Sequence, residues 1–175
     1  MAIAAMKALL YLLLACLVGA APASFARTPG EVEVGGILRD AQLNGLSVPP
    51  KKLSAFRGKP LIINVWASWC PPCRQEMGSV DKLARRYGGK QFNVIGISTD
   101  DDMEAAYAFL EKSGISFENF IDKKLLMENM LGADRLPLTL LIDAQGRVLS
   151  RHYGARDWDG PETKQMIGKA FGVRM

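Results

Sequence analysis

The run Leu61-Ile62-Ile63-Asn64-Val65-Trp66-Ala67 is apolar and β-branched except at Asn64, and three residues later comes Cys70-Pro71-Pro72-Cys73. Such a run is the pattern of a strand covered on both faces. From Pro71 to Tyr87, apolar residues recur at Met77, Val80, Leu83, Ala84 and Tyr87, the period of an amphipathic helix. A Cys-X-X-Cys where a buried strand hands over to a helix reads as a redox pair. Cys70 falls near the helix N-cap, where unpaired N–H groups and the positive end of the helix dipole favour a thiolate. Pro71 and Pro72 suit the first helical positions, where a missing N–H costs little. Cys73 lies one turn on, so a small disulfide ring can open and close.

The 175 residues suffice for one domain with a substantial core. Residues 1–26 stand apart from it. Lys7 precedes the apolar run Ala8 to Val18, and Ala23-Ser24-Phe25-Ala26 closes the segment with small residues. That is the layout of a secretory signal peptide cut ahead of Arg27. Two other fates compete. Leu13-Leu14-Ala15-Cys16 has the form of a bacterial lipobox, which would make Cys16 a lipidated first residue. An uncleaved segment would anchor the chain, although the run is shorter than the roughly 20 residues a comfortable span needs. Each fate carries the remainder to the periplasm or the outer face of the cytoplasmic membrane. The bilayer is then met only through the N-terminal segment, if that segment is retained.

Beyond the leader only Cys70 and Cys73 remain of the three cysteines. A domain stapled by disulfides would carry four or more, and a pair this close removes little entropy from the unfolded chain. The pair therefore serves chemistry rather than stability. Removing Lys7 with the leader takes the net charge from +4 to +3, with no basic stripe interleaved with aromatics, so nucleic acid is excluded as a partner.

Residues 27–36 read as a tether and 37–175 as the domain. Ile37 to Arg39 and Leu46 to Val48 flank Asn44-Gly45, which predicts a hairpin stopped by Pro49-Pro50. Lys51 to Phe56 is at most a helical turn. Phe92 to Ser98 is a second apolar run, so strand, helix and strand form a βαβ unit. Asp101 and Glu104 resemble a capping box for a helix that buries Met103, Ala106, Tyr107 and Leu110. Phe117 to Ile121 predicts a strand, and Lys123 to Leu131 a helix capped by Asp122. Leu138 to Ile142 and Val148 to Tyr153 predict an antiparallel hairpin. A last helix starts near Pro161, with Thr163, Met166, Ile167 and Ala170 inward. The sum is an α/β fold: a mixed central sheet flanked by helices, with an N-terminal hairpin and a central αβ/helix insert.

Trp66-Ala67-Ser68-Trp69-Cys70-Pro71-Pro72-Cys73-Arg74-Gln75-Glu76 resembles the active-site signature of thioredoxin-fold proteins, closest to the TlpA/ResA-like thiol–disulfide oxidoreductases. The likeness continues in Leu136 to Gly146, in Gly96 to Asp100 with the insert after it, and in Gly154 to Trp158. It spans roughly Gly36 to Phe171 and implies a thioredoxin-like fold. By position, Cys70 is then the nucleophile and Cys73 the resolving thiol. The resemblance makes Pro137 a cis proline facing the pair, with Leu136 offering backbone to an incoming peptide. Trp69 and Pro71 would shape the docking surface. Glu76 matches a glutamate placed near the cysteines and could take the proton of Cys73. Where thioredoxins hold a buried aspartate, this chain has Asn64, which cannot act as a base.

Several plainer readings stand beside these. Zinc needs four ligands, and the mature chain offers two cysteines and His152; no metal is expected. His152 reads as an exposed or edge residue with no serine tied to it, so a hydrolytic triad lacks support. Glu76 could be a solvated helix residue. Asp100-Asp101-Asp102 reads as a helix cap rather than a cation site, and Trp66 and Trp69 as core and rim packing. No Gly-X-Gly-X-X-Gly or flavin motif occurs, so no cofactor is expected and electrons must come from another protein. The resemblance implies a membrane electron donor and a disulfide-containing protein substrate, apocytochrome c in many members. The expected function is an envelope reductant of protein disulfides. The alternatives are a disulfide oxidase or isomerase, or a tethered non-catalytic assembly factor.

Overall fold

The computed structural model describes residues 30–175, so the leader readings for residues 1–26, Cys16 among them, lie outside it. Seven strands form one sheet in the order β2-β1-β5-β4-β3-β6-β7. They are β1 (Gln42–Gly45), β2 (Lys51–Lys52), β3 (Leu61–Trp66), β4 (Asn93–Ser98), β5 (Glu118–Ile121), β6 (Leu138–Ile142) and β7 (Val148–Tyr153). The helices are α1 (Pro71–Tyr87), α2 (Met103–Ser113), α3 (Leu126–Leu131) and α4 (Pro161–Phe171). β3 runs parallel to β4 and antiparallel to β6, so the sheet is mixed and β3 has neighbours on both sides.

Every residue of β3 is buried, and its alternation divides the core. Leu61, Ile63 and Val65 face a cluster with Phe120 of β5, Leu140 of β6 and Leu131 of α3. Ile62 and Trp66 face the opposite cluster with Met77 and Val80 of α1, Leu110 of α2 and Ile167 of α4. Each such side chain contributes about 1.5–3 kcal/mol by leaving water, whereas an exposed ion pair such as Arg135–Asp134 contributes about 0–1 kcal/mol. The apolar strand, not the charged surface, thus fixes where α1 begins.

The mixed sheet, its flanking helices, the βαβ unit and the β6–β7 hairpin stand as read from the sequence. The N-terminal hairpin does not stand where expected. Its strands are β1 and β2, Asn44-Gly45 lies within β1, and β1 also pairs with Phe120 and Ile121 of β5. The turn is Leu46 to Pro50. A Cβ on Gly45 would lie 2.0 Å from the Val48 carbonyl oxygen, so glycine is there for the chain's close return rather than for the turn itself. From Gly30 the tether lies against the domain: Val32 N–H donates to the Met130 carbonyl, and Glu31 pairs with Arg151.

The cap of α2 is Asp102, one residue beyond the expected Asp101, and it accepts from the N–H groups of Glu104 and Ala105. With that start, Ala106 and Leu110 face inward while Met103 and Tyr107 are each 44% exposed, contrary to the periodic reading. α3 begins at Leu126 rather than Lys123 and its N-cap residue is Leu125, not Asp122, although the Asp122 carboxylate accepts from the N–H groups of Leu126 and Glu128.

Trp66 donates its indole N–H to Asn119 Oδ1 at 2.9 Å across Gly96. An alanine Cβ at Gly96 would sit 1.9 Å from that oxygen and 2.9 Å from the nitrogen. Gly96→Ala is therefore expected to destabilise the domain by about 2–4 kcal/mol through overpacking and the lost buried hydrogen bond, read as a lower urea midpoint with an unchanged slope.

Candidate active site

After β3, Ala67 to Trp69 carry the chain into α1, whose N-cap is Cys70. Cys70 and Cys73 are disulfide-bonded, with Cα atoms 5.3 Å apart. Pro71 and Pro72 fill the first two helical positions and bring no N–H of their own, so the first donor of α1 is Cys73 N–H, which points at Cys70 Sγ at 3.2 Å. The prolines thus concentrate the helix N-terminus on one sulfur.

Asp100 holds the approach. Its carboxylate accepts from Ser68 N–H at 2.9 Å, Ser68 Oγ at 2.6 Å and Ser98 Oγ at 2.7 Å. It is buried and caps no helix, which corrects the reading of the Asp100–Asp102 run as a cap throughout. A groove opens on Cys70, lined by Trp69, Pro71, Leu125, Glu128 and Leu136 among others. Trp69 is 67% exposed on its rim. The Leu136–Pro137 peptide bond is cis, Pro137 is buried, and Leu136 lines the groove.

Glu76 is 2% exposed, which rules out its reading as a solvated residue. Its Oε1 accepts from Asn64 Nδ2 at 2.7 Å; its Oε2 accepts from Trp158 Nε1 at 3.0 Å and Arg156 N–H at 3.1 Å. Burial pushes its pKa above the ordinary 4.5, while the donors from Trp158, Asn64 and Arg156 pull the other way. A second groove, between α1 and residues 155–157, reaches Glu76 past Ser79, Lys82 and Arg156 and shares no residue with the groove at Cys70.

Cys70, Trp69, Pro71 and Leu136 therefore meet at one opening, with Cys73 and Glu76 beneath or behind it. Sequence reasoning missed Asn64 as a partner of Glu76, Trp158 as its donor, and Asp100 as the clamp on Ser68. The likenesses at Gly96 to Asp100 and Gly154 to Trp158, and Asn64 in place of the thioredoxin aspartate, pointed to these positions but not to their contacts. His152 sits on edge strand β7, as expected, but Ser150 Oγ does meet its Nε2 at 2.9 Å. The ring lies edge-on to Trp158, and burial with the nearby Arg156 charge lowers its pKa. Among the described residues no group of three or more His, Cys, Asp or Glu could hold a metal ion, and no helix is long and apolar enough to cross a membrane.

A family model described as redoxin matches residues 34–167. The chain belongs to the redoxin family. This redoxin is 32% identical over 144 residues to the thiol-disulfide oxidoreductase ResA of Halalkalibacterium halodurans, covering 82% of the chain and 75% of the relative. It is 33% identical over 148 residues to the thiol:disulfide interchange protein DsbE of Vibrio cholerae, covering 79% and 78%. Among solved structures, a protein described as a DsbE thiol:disulfide interchange protein from Chlorobium tepidum superposes with a TM-score of 0.74 at 31% identity. That match covers 81% of this redoxin and the whole of that chain. StoA of Bacillus subtilis, 14% identical with a TM-score of 0.64 over 75% of this chain and 96% of its own, shares the fold. The redoxin is accordingly a thioredoxin-fold thiol–disulfide oxidoreductase of the ResA/DsbE type.

The raised pKa of Glu76 sets a sign for stability. Between 4.5 and the higher folded value, the unfolded chain has released a proton that the folded chain still holds. The contribution of Glu76 to stability therefore falls as pH rises through that window. Asp122 and Glu128 are also raised and Asp81 is lowered, so the expected outcome is a difference: urea midpoints of the oxidised wild type taken from pH 4 upward fall relative to those of Glu76→Gln.

Proposed function

We propose that this redoxin is an exported reductant of disulfides in other proteins. The observation that carries the exchange chemistry is the asymmetry of the pair: Cys70, 3% exposed, lines an open groove, whereas Cys73 is 0% exposed and absent from the groove wall. The leader and the TlpA/ResA-like resemblance support export and the reducing direction. In the reduced protein, the Cys70 thiolate at the helix tip attacks a substrate disulfide and releases one substrate thiol, leaving a mixed disulfide. Trp69, Pro71, Leu136 and the cis Pro137 form the docking surface for that segment. Cys73 gives its proton to Glu76 and attacks Cys70. The Cys70–Cys73 bond forms, the bond to substrate breaks, and the second substrate thiol leaves reduced by two electrons in all. A dithiol protein of the membrane then restores the reduced pair.

The leader, residues 1–26, supports a periplasmic setting, with Cys16 as the attachment point if the segment is a lipobox. The TlpA/ResA-like resemblance supports apocytochrome c as a substrate, reduced before haem attachment.

Cys73→Ser, reduced and mixed with a disulfide-bearing protein such as insulin, is expected to accumulate a covalent adduct through Cys70. Cys70→Ser is expected to form none and to lose insulin reduction. Absence of the adduct, together with a wild-type protein that leaves insulin intact in the presence of a dithiol, would overturn the reading. Normal c-type cytochromes in a deletion strain would remove apocytochrome c as the substrate while leaving the chemistry.

A further inference from the structure

The two oxygens of Glu76 have unlike partners. Oε2 faces the Trp158 indole N–H and the Arg156 backbone N–H, groups that only donate. A proton placed on Oε2 would be opposed by both. Oε1 faces Asn64 Nδ2 at 2.7 Å, and the same NH2 donates to Thr139 Oγ1 at 2.9 Å. Asn64 Oδ1 is buried with no hydrogen-bond partner among the described residues. Asn64 and Thr139 stand opposite each other in the β3–β6 ladder, so the amide is held between two fixed strands.

A primary amide carries an acceptor as well as donors. Turned by half a revolution, Asn64 would bring Oδ1 to the place of Nδ2, able to accept from a protonated Oε1. The Thr139 hydroxyl, free to rotate, would donate to the same oxygen. Both orientations make two hydrogen bonds, but the turned one leaves two N–H groups unpartnered where the observed one leaves a single oxygen, so the amide turns only when a proton on Oε1 would otherwise face Nδ2.

We propose that Asn64 is the positioning residue of the proton step: Glu76 takes the proton on Oε1, and the Asn64 amide turns over to receive it. The inference deepens the reading of Glu76 as proton acceptor for Cys73 and rests on it. The proton leaves Cys73 Sγ and binds Oε1. The thiolate electron pair forms the Cys70–Cys73 bond and expels the substrate thiolate, which takes a proton from water. Glu76 later returns its own proton to water through the groove beside Ser79. An ionised aspartate at position 64 could only accept, and a leucine could do neither; asparagine serves both states of Glu76 while adding no charge. The other charged or titratable groups around Glu76 are Cys73 and Lys82 on α1, Arg156 and Asp157 on the facing loop, and His152 of β7 behind Trp158. From β3 and β6 the neutral Asn64 and Thr139 face it.

The test has two parts on the full-length protein. In the oxidised wild type, the side-chain NH2 signals of Asn64 are followed by NMR against the Glu76 carboxyl carbon across pH. Both are expected to move with one midpoint; an Asn64 amide that stays still while Glu76 titrates overturns the proposal. In the reduced protein, the step resolving the mixed disulfide with insulin is timed across pH. Asn64→Asp is expected to raise the apparent pKa of this step by about one unit or more, since the two carboxylates then share a proton, slowing it about tenfold below the midpoint. Asn64→Leu, which removes the donor without adding charge, is expected to shift it in the same direction, and Thr139→Val to leave the midpoint in place. Unmoved profiles in both Asn64 variants overturn the proposal even where Glu76→Gln abolishes the pH dependence. If Glu76→Gln also leaves rate and profile unchanged, the proton-acceptor reading itself is what fails.

Discussion

Glu76 is a carboxyl group inside the layer between sheet and helix, and taking such a group out of water is costly unless its oxygens find donors. Here the donors come from separate parts of the chain: Asn64 of β3, and Trp158 and the Arg156 backbone from the loop before α4. Each must be in place for the others to work. Ser79 ties the same loop to α1, donating to the Glu76 carbonyl while accepting from Trp158 N–H. The demand of one buried carboxyl therefore links the central strand, the redox helix and a segment eighty residues downstream.

The disulfide sits one turn above that carboxyl and is positioned by different means. Two prolines leave Cys73 N–H as the first helix donor, and it serves Cys70 Sγ. Asp100 fastens Ser68 from the end of β4, so the loop between β3 and α1 is pinned by the strand parallel to β3. The two sides of the site open to solvent separately, one groove at Cys70 and another at Glu76 with no residue in common. A protein covering the sulfur side would leave the carboxyl side in contact with water.

Much of the architecture was legible because it depends on near neighbours. The β-branched run of β3, the Pro-Pro helix start and the glycines closing α2, α3 and α4 are short-range signals. Errors arose where a short-range signal met a tertiary demand. Asn44-Gly45 has the chemistry of a turn, yet pairing with β5 drew it into β1. Met103 and Tyr107 fit a helical period, yet the cap at Asp102 leaves both exposed.

The order of residues by itself determined that two cysteines would stand at the tip of a helix fed by a buried strand, because strand, turn and helix are consecutive in the chain. It also placed the signature that marks a thiol–disulfide oxidoreductase. Only the tertiary structure decided the surroundings of Glu76. Asn64, Thr139, Arg156 and Trp158 are 12 to 82 residues away from it in sequence, or linked through a residue that is. Spacing along a chain reports which face of its own element a side chain occupies; it does not report which strand or loop will be folded against that face.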